Sequence, residues 1–273
     1  MKTLEDHTLL YDNDCPLCNV YTSGFIKAKM LDDKGRKSFH LVSKEEQNFI
    51  DVKRATNEIA LVDNKNKTVI YGIDSLLKVI GNSFPRIEKI GGYKPIHFLL
   101  KKLYSFISYN RKVIIPSKRK SEPELQCVPD FNYKYRFIYI IFATIITTLV
   151  LFKFSNSITI LSESNMRREL LLAIGQIIFQ SSFLLNTKRV IIIDYVGNLM
   201  TVSLIGCFFL IPLLIINSFV LLPQHIMLLG FGITVLLMFL EHSRRVTLLE
   251  LPLYLSYTWI LYRIIALIII FNI

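Results

Sequence analysis

The chain changes its hydrophobic rhythm halfway along. Over residues 7–115 short apolar runs alternate with helical spacings. HTLLY (7–11) reads as a short strand. In PLCNVYTSGFIKAKML (16–31), Leu17, Val20 or Tyr21, Gly24, Phe25 and Ala28 share one helical face, and Pro16 suits a first turn. SFHLV (38–42) predicts a second strand, and Ser43 with Glu46 forms a capping-box pattern for the next helix. NEIALVD (57–63) and KTVIYG (67–72) flank a polar turn and predict a β-hairpin. Asp74–Ile80 predicts a short helix stopped at Gly81. The expected order is β-α-β-α-β-β-α, with helix-joined strands parallel and the hairpin as an antiparallel edge.

The second half has long apolar stretches instead. Five are candidate membrane spans: Phe137–Phe154, Leu170–Leu185, Tyr195–Ile216, Phe219–Leu240 and Leu253–Phe271. The second, at 16 residues, is the shortest. The expected organisation is an α/β domain over 1–115, a basic, proline-bearing linker over 116–135 and an all-α membrane domain over 136–273.

Charge follows the same division. Of 273 residues, 1–135 hold 23 Lys/Arg and 16 Asp/Glu, whereas 136–273 hold 9 and 5. The net charge of +11 is then accounted for by membrane topology and anionic lipid, without nucleic acid. MKTLEDHTLLYD contains no apolar run of signal-peptide length. Lys134 and Arg136, Lys188 and Arg189, and Arg244 and Arg245 fall on one side of a five-span chain. This predicts a cytoplasmic N-terminal domain in a bacterial-type inner membrane, with Arg167 and Arg168 as exceptions.

Lys94 to Lys120 carries eight Lys/Arg and no acid, while Ile96, Leu99, Leu100, Leu103 and Ile107 share one helical face. That face is expected to pack on the sheet. The basic face is expected in solvent, resting on anionic lipid. Asp194, Asn198, Arg263 and Glu241–His242 lie at or near membrane depth. Such charges are candidates for function unless they sit at interfaces, with Arg263 paired to Asp194 or Glu241. Cys207 lies within the third stretch, where a lone cysteine ordinarily fills space.

The remaining candidate chemistry is YDNDCPLC (11–18). Cys15 and Cys18 are three apart, after the first strand and at the start of the first helix. That is where thioredoxin-like proteins hold a redox pair, and the element order is the thioredoxin layout. A helix N-terminus stabilises a thiolate. Cys15 is therefore expected as the exposed attacking sulfur and Cys18 as the resolving one, with Pro16 and Leu17 beside an incoming substrate. Asp12 and Asp14 either oppose the thiolate or serve as proton acceptor for Cys18. Zinc would need more ligands, and His7, His40 and His97 have no matching spacing. Two inert buried cysteines are the other alternative. No metal or cofactor is called for.

These residues resemble a known family. YDNDCPLC is similar to the Asp-x-x-Cys-x-x-Cys signature of the DCC family of thiol-disulfide oxidoreductases, here Asp12, Cys15 and Cys18. VDNKNKTVIYGIDSLLKVI resembles that family's hairpin and following helix start. LYSFISYNRKVI resembles its closing segment, with Tyr104, Asn110 and Arg111. The resemblance covers about residues 7–115 and implies a thioredoxin-like fold and disulfide exchange with a protein or small-thiol partner. One departure is that no proline lies between Pro16 and Pro85, so the cis-proline that thioredoxins hold just before the third strand is missing ahead of Glu58. The other functions to be weighed are a membrane electron-transfer or transport protein with the soluble domain as redox partner, and a non-catalytic redox sensor or binding module.

Overall fold

In a computed structural model, residues 2–118 and 129–272 are described. Cys127 and the middle of the expected linker lie outside them. The chain divides into two compact units, Met1–Tyr135 and Arg136–Ile273.

The first unit is built on a four-stranded mixed sheet of order β2-β1-β3-β4. The strands are β1 (His7–Tyr11), β2 (Arg36–Ser38), β3 (Ala60–Asp63) and β4 (Thr68–Tyr71). β1 pairs parallel with β2 and antiparallel with β3, and β3 pairs antiparallel with β4. Helix α1 (Pro16–Lys27) connects β1 towards β2. The short helices α2 (Lys44–Gln47) and α3 (Val52–Asn57) precede β3, and α4 (Ile73–Ser83), α5 (Pro85–Gly91) and α6 (Lys94–Ile114) follow β4. β1 is buried on both faces. Leu9 packs with Leu31, Leu61 and Val79 against α1, α4 and Tyr104, while Leu10 packs with Phe39, Ile50, Ala55 and Val62 on the other side. Alternate strand residues face opposite ways, so one five-residue strand seeds two cores.

Three local expectations are corrected. The second strand is not 38–42. It lies at Arg36–Ser38, and Phe39–Leu41 forms a 3₁₀ turn that directs Phe39 into the core. The fourth helix passes through Gly81 to Ser83. A Cβ at Gly81 would meet Glu88 at 2.5 Å, so glycine there permits close approach to α5 and does not end the helix. The apolar stripe of α6 is not packed on the sheet: Leu99 and Leu103 are 66% and 51% exposed. The buried α6 residues are Ser108, Asn110, Arg111 and Val113, near its C-terminus. The Ser43–Glu46 capping box is present with both hydrogen bonds, at 3.2 and 2.7 Å.

The second unit contains α7 (Tyr133–Ser155, beginning in the first unit), α8 (Met166–Ser182), α9 (Arg189–Phe219), α10 (Gln224–Leu248) and α11 (Tyr254–Asn272). Four of these, α7, α9, α10 and α11, are long and apolar enough to cross a membrane among the described residues. The chain therefore reads as an integral membrane protein, with the expected five spans corrected to four. The difference is α8: its 17 residues extend about 25 Å, short of a bilayer core, and it carries buried Arg168, Glu169, Gln176 and Gln180. α8 nevertheless runs antiparallel along α11, with Tyr254 Oη donating to Phe183 O (3.2 Å) and Tyr262 Oη to Leu172 O (2.7 Å).

Leu61 is 1% exposed and joins Leu9 across the sheet. Leu61→Ala is expected to cost about 3 kcal/mol. Native-state proteolysis of the full chain should then cleave the first unit about 100-fold faster when opening is in equilibrium.

Candidate functional site

The strand β1 ends at Tyr11 and the chain turns through Asp12–Cys15 into α1. Asp12 Oδ1 accepts the Asp14 N–H (3.0 Å), and Asp12 O accepts the Cys15 N–H (3.2 Å). Asn19 Nδ2 reaches back to Asn13 O (2.8 Å), and the Ser117 hydroxyl donates to Asp14 O. These bonds fix the turn so that Cys15 is the N-cap of α1. Its Sγ accepts the Cys18 N–H at 3.5 Å, which satisfies one of the donors that a helix start leaves unpaired.

The turn brings Cys15 and Cys18 together, and both are unbridged. Cys15 is 4% exposed, so the expectation of an exposed attacking sulfur is corrected. Tyr11, Leu17 and Tyr21 close over the pair. Pro16 and Leu17 are themselves half-buried, Pro16 filling the first helical position. Asp12 is buried and lies 3.6 Å from Arg111 Nη2. Half-buried Asp14 contributes backbone groups to the turn.

Three further side chains complete the site. Arg111, 5% exposed, donates to Ser108 Oγ (3.3 Å) and Thr56 O (3.2 Å) and faces Asp12. Tyr21 packs against Cys18. Tyr104 Oη accepts the Ile59 N–H (2.8 Å) just ahead of β3. Only the closing-segment resemblance had drawn attention to Tyr104 and Arg111 in the sequence. Nothing in the local spacing points from residue 111 back to residue 15.

The environment separates the two thiols. The hydrogen bond from Cys18 lowers the Cys15 pKa most, and the Cys18 N–H and Arg111 add to this. Burial and Asp12 oppose, and the result falls from 9.0 to about 7. Cys18 moves the other way, pushed up beyond the ordinary thiol range by its bond to Cys15, by burial and by the Cys15 charge. One sulfur thus gives up its proton near neutrality while the other keeps it, the division that disulfide exchange requires. The charge of Asp12 raises the Cys15 pKa and that of Arg111 lowers it. Among the described residues, no group of three or more His, Cys, Asp or Glu is arranged to hold a metal.

The membrane-depth candidates form a separate set. Asp194 pairs with Arg136 (3.1 Å), and Glu241 with Arg244 and Arg245 (both 2.7 Å). Asn198 accepts from Arg245 (2.9 Å). The expected pairing of Arg263 with Asp194 or Glu241 is therefore corrected: both acids are engaged elsewhere, and Arg263 stacks on Trp259 at 4.7 Å. His242 lies between Tyr195 (3.0 Å) and Ser256 (3.2 Å), and Tyr195 also donates to Gln180 (2.8 Å). Cys207 is buried.

No family model, curated protein or solved structure matches the chain.

The Cys15 alkylation rate in the reduced full chain should rise from acid to neutral pH with its midpoint near 7. Arg111→Gln should move that midpoint up, and Asp12→Asn should move it down. Because the folded-state value lies below the unfolded one, the thiolate adds stability that is complete above about pH 9 and lost as pH falls through about 7.

Proposed function

We propose that this protein is a membrane-anchored thiol–disulfide oxidoreductase whose thioredoxin-like soluble unit faces the cytoplasm and works through Cys15 and Cys18. The observation that carries this reading is the capped Cys15 sulfur, held against the Cys18 N–H with Arg111 nearby. The sheet order β2-β1-β3-β4, with a parallel first pair and an antiparallel hairpin, supports the thioredoxin-like assignment. So does the position of the pair between β1 and α1. Similarity of YDNDCPLC to the DCC signature points the same way, with Asp12 in a defined contact to Arg111.

In the reductive direction, the Cys15 thiolate attacks one sulfur of a substrate disulfide. The S–S bond breaks, and its electron pair leaves on the second substrate sulfur, which takes up a proton. Cys18 then loses its proton to solvent or a nearby base and attacks Cys15 Sγ. This breaks the mixed disulfide and releases the first substrate sulfur as a thiolate. The substrate gains two electrons, and the protein is left with a Cys15–Cys18 disulfide, which a dithiol donor re-reduces. The oxidative direction is the reverse. Burial of both sulfurs means that Tyr11, Leu17 and Tyr21 must yield to an incoming disulfide.

The orientation rests on charge. Arg136 at the start of α7, Lys188 and Arg189 at the start of α9, and Arg244 and Arg245 at the end of α10 gather at one end of the bundle, as the Arg136–Asp194 and Arg245–Asn198 contacts require. The positive-inside tendency then assigns that end to the cytoplasm. On α6 the exposed Phe98, Leu99 and Leu103 beside Lys94, Lys101 and Lys102 suit the surface of an anionic bilayer.

Cys18→Ser should accumulate a mixed disulfide on Cys15 with a disulfide substrate, whereas Cys15→Ser should trap none and lose exchange activity by several orders of magnitude. A Cys18→Ser variant that traps nothing would remove the enzyme reading. Lys65→Cys, on an exposed turn, should react with a membrane-impermeant maleimide in inverted vesicles and stay protected in intact cells.

A further inference from the structure

The membrane unit contains a partly open cavity of about 680 Å³ whose walls come from all five of its helices. That volume lies in the range of small-molecule sites. Most of the lining is apolar, but three polar side chains reach it with atoms that make no hydrogen bond. Both amide atoms of Gln176, Nε1 of Trp259 and Nε of Arg263 are buried and make no hydrogen bond among the described residues. Gln176 is 3% exposed and Trp259 fully buried. Each such atom costs free energy unless a ligand or water satisfies it.

Arg263 adds a demand for charge. Glu169, the acid on the same wall, is already held by Arg168 (2.9 Å) and Ser164 (2.6 Å). Asp194 and Glu241 pair with other arginines. Among the described residues no carboxylate lies within ion-pair distance of Arg263. A guanidinium at this depth without a carboxylate partner is costly, and stacking on Trp259 offsets only part of that cost. A neutral carbonyl would satisfy Trp259 but would leave the charge uncompensated.

We infer that this cavity binds an amphiphile with an anionic oxygen head, a fatty-acid carboxylate or a lipid phosphate, set against Arg263, Trp259 and Gln176, with its chain along the apolar walls. The site is independent of the cysteine chemistry and stands or falls separately from it.

Trp259 is the only tryptophan in the chain, so its fluorescence reports this site alone. The purified full chain in detergent is titrated with dibrominated stearate, with phosphatidate carrying dibrominated chains, and with the methyl ester of the former as a neutral control. Saturable quenching by either acid is expected, with the ester weaker by about tenfold or more. Which acid quenches distinguishes a free fatty acid from a phospholipid source, and either supports the site. Arg263→Gln should weaken acid binding by about tenfold or more, and Arg263→Lys should recover most of it. Ala266→Phe, which adds bulk to the cavity wall and leaves Arg263 in place, should abolish quenching. The inference is overturned if neither acid quenches saturably, if the ester binds as well as the acid, or if Ala266→Phe leaves acid binding unchanged. It is likewise overturned if folded Arg263→Gln binds the acids normally. Should Arg263→Gln fail to fold, the acid–ester comparison and Ala266→Phe decide.

Discussion

The first unit is organised around one buried cation. Arg111 sits almost wholly out of solvent near the end of α6 and reaches Thr56 near the end of α3, Ser108 on its own helix, and Asp12 in the turn after β1. Removing any one leaves charge or polarity stranded in low dielectric, a penalty larger than the contact itself contributes. The arginine therefore ties the last helix of the unit to the turn that carries the cysteines. Its charge then reaches both sulfurs, lowering each pKa. A structural constraint and an electrostatic one are met by the same side chain.

The membrane unit gathers several of its ion pairs at one end. Arg136 with Asp194, and Glu241 with Arg244 and Arg245, place the ion pairs at the start of α7 and α9 and the end of α10. Tyr195, Gln180, His242 and Ser256 continue inward as a hydrogen-bonded chain. Polar groups inside an apolar bundle hold helices in register because mispairing strands them. This also explains the sequence of α8. Its glutamines spoil it as a hydrophobic span, yet Gln180 is the acceptor that Tyr195 needs.

Much of this was legible in the chain. β1, the hairpin and the capping box at Ser43 follow from alternation and turn chemistry, which act over a few residues. The apolar stretches marked the membrane helices, because a span is long enough for composition alone to reveal it. Apart from the short α8, the misreadings share a cause: each depended on a distant partner. β2 shifted because Phe39 was needed in the core formed with Ile50 and Val62. The α6 stripe was read as core because amphipathicity gives a face and not what lies against it. Cys15 was read as exposed because helix position predicts the N-cap, whereas burial depends on Tyr11 and Tyr21 closing over it. Arg111 is the clearest case, since 96 residues separate it from Cys15 along the chain.

The burial of Cys15 bears on what chemistry the pair can do. Desolvation raises a thiol pKa, so a buried cysteine ordinarily keeps its proton. Here the Cys18 thiol, the Cys18 N–H and Arg111 outweigh burial and Asp12, and the balance falls on the thiolate side. The stabilising groups are short-range and fixed, and the turn holding them is closed by Asn19 and Ser117. A disulfide that displaces Tyr11 or Tyr21 would therefore meet a sulfur already charged, without waiting for solvent to rearrange. Once Cys15 is in a mixed disulfide its negative charge is gone, and with it the repulsion that helps keep Cys18 protonated. In the exchange proposed above, the first step would thus ease the second.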